Sequence, residues 1–366
     1  MKTTKLHIGL LTAGGDAPGL NAVTRAVVKA AVCRDWSVLG IEEGFEGLLG
    51  DGQTRNLTLD DVRGLLPRGG SILGCTSRGH FGFCPGEVGV IKNDPAAYIE
   101  ALATFKRLAL DALVVVGGDG SQRIAYELFL MGIPVIGLPK TIDNDLRETD
   151  LTFGFDTALE VATDAIDRLH TTAESHGRVL VVEVMGRHVG WIALQSGIAG
   201  GADVILIPEI PFHVDRVAAK IRDREARGRK FSIVVVAEGA RAAGEDEVYR
   251  EAPGKAAEGR LGGIGERVAS NINRITGKES RVVVLGHLQR GGSPTPFDRL
   301  LASACGAGAV RAIADGKFGH LVAWRDNDVV TVPLERAIRE LKRVPPSHFL
   351  IRVARDLGIS FAGSED

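Results

Sequence analysis

Residues 111–121 read DALVVVGGDGS, and this stretch decides the fold. Ala112 to Val116 form a short, unbroken apolar run rich in β-branched valine. That is the pattern of a strand buried on both faces, as in a parallel sheet. Glycines follow at once, and a helical stretch follows them. The same unit recurs upstream. Residues 6–13, LHIGLLTA, are a buried strand, Gly14-Gly15-Asp16 turns the chain, and Leu20, Val23, Val27 and Val28 share one face of a helix over about 20–33. Downstream, 133–138, IPVIGL, is a strand running into PKTIDND. Leu159, Ala162, Ile166 and Leu169 mark a helix over 157–175, and RVLVVEVMG, DVILIP, FSIVVVAEGA and RVVVLG (281–286) are further strands. The alternation predicts an α/β protein with mainly parallel sheets covered by helices on both faces. Residues 241–260, polar and charged, read as a surface excursion.

The length of 366 residues allows two or three domains and a core large enough to need no disulfide staple. Apolar residues make up 45% and charged residues 25%, ordinary for a globular chain. A net charge of -2 argues against nucleic acid as the main partner while leaving room for a local basic pocket. Cys33, Cys75, Cys84 and Cys305 form no C-x-x-C pair and no metal-ligand spacing with histidine, so free thiols in a reducing compartment are expected. No run approaches the ~18 apolar residues of a membrane span, and the apolar part of MKTTKLHIGLLTAGGD is too short for a signal peptide. A soluble, cytoplasmic protein with no membrane partner is expected.

Polar, glycine-rich clusters follow positions 13, 116, 138, 184, 237 and 286, where open α/β sheets bind ligands. Gly14-Gly15-Asp16 with Gly19 either lets backbone amides approach an anion or is simply a tight turn. No G-K-[ST] follows and the G-x-G-x-x-G spacing is incomplete, so neither a Walker loop nor a dinucleotide fingerprint is present. Gly117-Gly118-Asp119-Gly120-Ser121 suits close approach of a phosphoryl donor, with Asp119 for Mg²⁺ and Gly120 leaving room for a nucleotide. The same G-G-D-G occurs in NAD kinases and lipid kinases. Pro139 to Asp145, PKTIDND, carries two carboxylates two residues apart, which face one side of an extended segment. They offer a base for a hydroxyl acceptor and a carboxylate for Mg²⁺, against the alternative of a solvated turn. Met185-Gly186-Arg187-His188 offers Arg187 for charge developing on a transferring phosphoryl group, against the alternative of a surface arginine. His287-Leu288-Gln289-Arg290-Gly291-Gly292, with Arg281, groups donors suited to a sugar-phosphate dianion, because arginine forks match phosphate bidentately.

Taken in order, LTAGGDAPGLNAV, GGSILG, VVGGDGS, PKTIDND, ESHGR, VEVMGRHVGW, AGGADVILIPE, VVAEGA and KESRVVVLGHLQRGGSPTPFDRLLA resemble the phosphofructokinase family over nearly the whole chain. The ordered set excludes the NAD and lipid kinases, which share only G-G-D-G. The resemblance implies two Rossmann-like three-layer domains with the active site in the cleft between them. A phosphoryl-donor domain is expected over 1–153 plus about 289–340, and a fructose 6-phosphate domain over 154–288 plus about 341–366. The implied reaction moves a phosphoryl group from ATP to the 1-hydroxyl of fructose 6-phosphate with Mg²⁺, a step of glycolysis. Asp143 is then the general base, Thr141 and Asp145 support it, and Arg187 stabilises the transferring group. Asp119 serves Mg²⁺, while Gly14, Gly118, Gly120, Ser121 and Lys140 line the donor site, Gly14 belonging to the catalytic set as well. Arg78 reaches the donor phosphates, from a loop with one residue inserted between Gly74 and Arg78 relative to the shorter bacterial form. Met185, Gly186, Glu238, His287 and Arg290 hold the sugar phosphate. Arg178 and Arg281 match residues that reach the 6-phosphate from a neighbouring subunit, implying a homodimer or homotetramer with shared sites and an inactive monomer.

Within the family, pyrophosphate users carry Asp where this chain has Gly120, and Lys where it has Lys140. An Asp at the first position crowds and repels the α-phosphate of ATP, whereas a lysine near the β- and γ-phosphates blocks neither donor. Gly120 therefore points to ATP, with pyrophosphate-dependent transfer as the alternative. DRLHTTAESH and MGRHVGW look like actinobacterial members, which include pyrophosphate users. A sedoheptulose 7-phosphate kinase and a non-catalytic sugar-phosphate-binding subunit are further alternatives; the last should lack Asp143, Asp145, Arg187 or the G-G-D-G loop, all of which are present. The bacterial effector site matches Arg25, Arg227 and Arg229, but one of its arginines falls on His170 and its acidic metal ligand on Asp203. A weakened or altered effector response is expected.

Overall fold

The computed structural model describes residues 5–50, 52–76, 79–81, 94–251 and 260–364. In chain order the strands are β1 (His7–Thr12), β2 (Ser37–Ile41), β3 (Thr54–Leu57), β4 (Ala112–Gly117), β5 (Val135–Pro139), β6 (Val179–Val184) and β7 (Val204–Leu206). They continue with β8 (Ser232–Ala237), β9 (Tyr249–Glu251), β10 (Arg260–Leu261), β11 (Ser280–Val284), β12 (His320–Arg325) and β13 (Asp328–Pro333). The helices are α1 (Leu20–Val32), α2 (Pro95–Arg107), α3 (Asp119–Leu130), α4 (Phe155–His176) and α5 (Trp191–Ala199). After them come α6 (Val214–Ala226), α7 (Ile264–Thr276), α8 (Pro296–Ala314), α9 (Leu334–Ala337) and α10 (Phe349–Asp356). The chain divides into two compact units, Met1–Thr157 with Arg290–Lys342, and Ala158–Gln289 with Arg343–Asp366.

The first unit is built on a seven-stranded sheet in the order β13-β12-β5-β4-β1-β2-β3. The unbroken apolar run of β4 has the cause expected of it. Val114 and Val116 turn to a face covered by α1 and α8, where they meet Val23, Val27, Leu301 and Cys305. Leu113 and Val115 turn to the opposite face and meet Tyr98 and Ala101 of α2 and Ile124 and Leu128 of α3. Each such side chain contributes about 1.5–3 kcal/mol by burial. The strands from β12 to β2 are parallel, whereas β3 and β13 pair antiparallel at the two edges. These edge pairings were not anticipated. β3 reads TRNL, with too little apolar surface to announce a strand. The β12–β13 turn places Asp326 and Asn327 at φ of 49° and 61°, the left-handed pair of a two-residue hairpin loop.

The second unit has an all-parallel sheet in the order β11-β6-β8-β7. β6 and β8 are buried along their whole length. Val179, Val181, Val234 and Val236 pack under Val217 and Ile221 of α6 and Val268 and Ile272 of α7. β11 is an edge strand, on which Arg281 and Val284 are exposed and Val282 and Val283 are only half-buried. Within the polar 241–260 stretch, β9 and β10 form a small antiparallel pair, and 252–259 lie outside the described residues. Cys33, Cys75 and Cys305 are free thiols; Cys84 lies outside the described residues. Among the described residues no helix is long and apolar enough to cross a membrane.

Candidate functional site

In the first unit, β1 leads through α1 to β2 on one side, while β4 lies on the other. The direction of winding therefore reverses between β1 and β4, and sheets of this kind leave a crevice at the strand carboxyl ends there. The sequence puts Gly14–Asp16, Gly117–Ser121 and Lys140–Asp145 at the carboxyl ends of β1, β4 and β5, three neighbouring strands. Gly14 has φ 78°, and a Cβ on it would lie 3.1 Å from Ser121 Oγ and 3.5 Å from Lys140 Nζ. Three of the expected donor-site residues thus meet at one point. Lys140 is buried, and its ammonium donates to the Gly15 carbonyl. Burial, reinforced by the Arg290 charge, brings its pKa down to about 8. Arg290 lies against the same loop, its Nη1 donating to the Asp16 carbonyl at 2.9 Å. α3 begins at Asp119 behind Gly118, which supplies no side-chain cap, so the amides of Gly120 and Ser121 open a helix N-terminus of the kind that binds phosphate.

Three carboxylates gather beside these loops. Asp145 is pushed up to about 7, first by burial and then by the charges of Asp143 and Asp119. The backbone between the two loop carboxylates is not extended as expected. Asn144 is left-handed at φ 52°, a conformation Asn tolerates, and fully buried Ile142 pins the loop on the other side. The Asp143 amide donates to Thr141 Oγ1 at 3.1 Å, and the Thr141 carbonyl accepts from Thr152 Oγ1 at 2.7 Å, so Thr141 ties the Asp143 loop to Thr152. Asp119 is held from one side by Arg123 Nε at 2.9 Å. Its Oδ1 and that of Asp145 are buried and accept no hydrogen bond from the described residues. Orphaned carboxylate oxygens in a pocket of crowded negative charge fit a divalent cation. No group of three or more His, Cys, Asp or Glu among the described residues makes a ready-built metal centre.

In the second unit, Met185, Gly186 and Arg187 follow β6, Glu238 follows β8 and His287 follows β11, at the carboxyl ends of three neighbouring strands. The first two loops are interlocked. The Gly239 amide donates to the Gly186 carbonyl at 3.1 Å, and a Cβ at Gly239 would overlap the Arg187 carbonyl. Gln289 belongs to the HLQRGG motif, which implies no role for it. It is fully buried, and its Oε1 accepts from the Met185 amide at 2.8 Å, tying the 3₁₀ turn Gly286–Arg290 after β11 to the Arg187 loop. Glu209 accepts from the amides of Gly190 at 3.1 Å and Val344 at 2.9 Å.

Arg178 and Arg281 do not join this group. Arg178 immediately precedes β6, and Arg281 is the second residue of β11, so both sit at the amino end of the sheet. Six residues of extended β6 separate that end from Met185, or about 20 Å. The two arginines flank Glu279, with Arg178 Nε 2.8 Å from its Oε2, and chiefly Arg178 holds the Glu279 carboxyl below its usual range. Arg78 lies outside the described residues. Of the residues matched to the effector site, Asp203 is already engaged: Arg224 Nη1 sits 2.6 Å from Oδ1 and the Ile233 amide donates to Oδ2 at 2.9 Å. His170 Nε2 is 2.7 Å from the Gly200 carbonyl.

The family model described as phosphofructokinase matches residues 7–313. An ATP-dependent 6-phosphofructokinase of Chloroflexus aggregans is 60% identical over 361 residues, covering 99% of each chain. A pyrophosphate–fructose 6-phosphate 1-phosphotransferase of Amycolatopsis methanolica is 50% identical over 347 residues, covering 94% of this chain and 98% of its own. Among solved structures, Pichia pastoris phosphofructokinase in the T-state superposes with a TM-score of 0.79 at 32% identity; the match covers 98% of this chain and 37% of the yeast one. With its matching motifs, its two α/β units and relatives alike over their full length, this chain belongs to the phosphofructokinase family.

Proposed function

We propose that the protein is an ATP-dependent 6-phosphofructokinase of the cytoplasm, phosphorylating the 1-hydroxyl of fructose 6-phosphate. The observation that carries this reading is the convergence of Gly14, Ser121 and Lys140 beside the carboxylates of Asp119, Asp143 and Asp145, at the point where winding of the first sheet reverses. The first unit holds the donor, with phosphates against the Gly14 loop, the α3 N-terminus and the Lys140 ammonium. Bound at Asp119, Mg²⁺ supplies charge neutralisation on the phosphate oxygens. The second unit holds the sugar phosphate through Glu238 and His287, with Arg290 contributing from the edge of the donor loop. Asp143 accepts the proton of the 1-hydroxyl as its oxygen bonds to the γ-phosphorus and the bond to the ADP oxygen breaks. Arg187 stabilises the charge on the group in flight.

Asp143→Ser tests the assignment. Turnover should fall by about 10²–10⁴-fold, the usual contribution of a positioned base, with fructose 6-phosphate binding retained. Turnover within a few-fold of wild type would remove Asp143 from the mechanism. A pyrophosphate donor is the second reading, favoured by Lys140 and by the Amycolatopsis relative. The Lys140 ammonium, turned to Gly15, is compatible with the end of either donor, so Gly120 carries the choice for ATP.

The active form is a homodimer or homotetramer with shared sites. Arg178 and Arg281, at the amino end of the second sheet, are too far from their own Glu238 and His287 to grip the same phosphate. The half-exposed edge strand β11, with Val284 and Leu288 both exposed, is the surface a second copy would cover.

A further inference from the structure

Lys342 belongs to none of the sequence motifs, yet it grips the loop that carries the base. That loop is unusual. Between Asp143 and Asp150 it has no helix or strand, and two non-glycine residues, Asn144 and Glu148, are left-handed at φ of 52° and 64°. Such conformations persist only where the surroundings over-determine them. The far end of the loop is fixed on β12, with the Asp150 amide donating to the Trp324 carbonyl at 2.8 Å and the Trp324 amide to Thr149 Oγ1 at 3.0 Å. The near end depends on Lys342. Its Nζ donates to Asn144 Oδ1 at 2.8 Å and to the carbonyls of Thr149 and Asp150, both at 2.9 Å. Three ammonium hydrogens thus meet three oxygens. The Lys342 amide donates to the Asp145 carbonyl at 2.7 Å, so one residue clasps the loop at both ends. The Asn144 side-chain Nδ2 donates to the Asp150 carbonyl directly only at 3.4 Å.

We propose that Lys342 is a positioning residue for this reaction, locking Asn144 in its left-handed conformation and so setting the direction of Asp143 on one side of it and Asp145 on the other. Charge-assisted bonds of this kind are about twice as strong as neutral ones. Burial lowers the Lys342 pKa to about 8, while Asp145 and Asp150 oppose the fall, so the ammonium keeps its charge at neutral pH.

The proposal rests on Asp143 as base, and the test separates the two. Lys342→Met, Lys342→Arg and Asp143→Ser are assayed together with ATP, Mg²⁺ and fructose 6-phosphate, after thermal melting and sugar-phosphate binding establish folded protein. Lys342→Met should lose on the order of 10²-fold in kcat, as small misplacements of a catalytic group do, with both KM values within about twofold. Lys342→Arg, which keeps a cation with several donors, should recover most of that loss. If Lys342→Met is not folded, Lys342→Gln, with its amide donor, is read in the same way. A kcat within about twofold of wild type in the Met or Gln variant, or an Arg variant no better than either, overturns the positioning role. Wild-type turnover in Asp143→Ser overturns the base assignment instead, whatever the Lys342 variants do.

Discussion

Gly120 stands in the first turn of α3, one residue beyond Asp119, and Lys140 turns its ammonium to the Gly15 carbonyl beside Gly14. A carboxylate at position 120 would add a second negative charge at the mouth of the same helix. At about 4 Å from a phosphate and an effective dielectric of 20, it costs about 4 kcal/mol. Gly120→Asp is therefore expected to lower kcat/KM for ATP on the order of 10²–10³-fold, with the KM for fructose 6-phosphate unmoved, in steady-state assays. Residues of this kind were legible because they carry chemistry in loops directly after apolar strands. Lys342 and Gln289 were not. Each acts through backbone groups far away in the chain, Lys342 on Asn144, Thr149 and Asp150, and Gln289 on Met185, and nothing local in LKRV or HLQRG announces such partners. The left-handed Asn144 was equally hidden, because PKTIDND reads as well extended as bent.

At the scale of elements, the buried parallel strands were readable from their apolar runs, and the edges were not. β12 and β13 carried a readable signal in the Asp326-Asn327 pair between two short apolar runs, whereas β3 is too polar to give one. Within the first unit, Asp298 of α8 holds Gly154 and Thr157, with no local signal in the sequence. Its Oδ1 accepts from the Gly154 amide at 2.9 Å, and its Oδ2 from the amide and hydroxyl of Thr157 at 2.8 and 2.6 Å. Because Thr157 Oγ1 already accepts from the Thr295 amide, its hydroxyl must donate to Asp298. Asp298→Asn turns an NH₂ against at least one of these donors. The expected loss is about 2–4 kcal/mol in urea unfolding, the cost of one or two orphaned buried groups. Burial pushes the Asp298 pKa to about 6 from 3.8. The folded state then binds the proton more tightly, so this group's contribution to stability falls as pH rises from 3.8 through about 6, a component the Asn variant should lack.

The whole molecule poses the question of why two arginines matched to sugar-phosphate binding lie at the wrong end of their own sheet. The proposed oligomer would answer it, with the site built on one chain's Asp143 completed by the other's Arg178 and Arg281. Asp143→Ser and Arg281→Ala chains should each be inactive alone. Mixed after dissociation and reassembly, they should regain about a quarter of wild-type sites if the unit is a dimer, because half the dimers are hybrids with one intact site. No recovery on mixing would place the arginines in their own chain's chemistry or outside it.

All of this rests on a phosphoryl transfer whose donor is chosen by Gly120. The direct test is a coupled assay of the purified protein with fructose 6-phosphate and Mg²⁺, run in parallel with ATP and with pyrophosphate. Turnover with ATP and none with pyrophosphate is the expected result. Turnover with pyrophosphate alone would leave the family and the Asp143 chemistry standing and show that Lys140, not Gly120, governs the donor; turnover with neither would contradict the account at its centre.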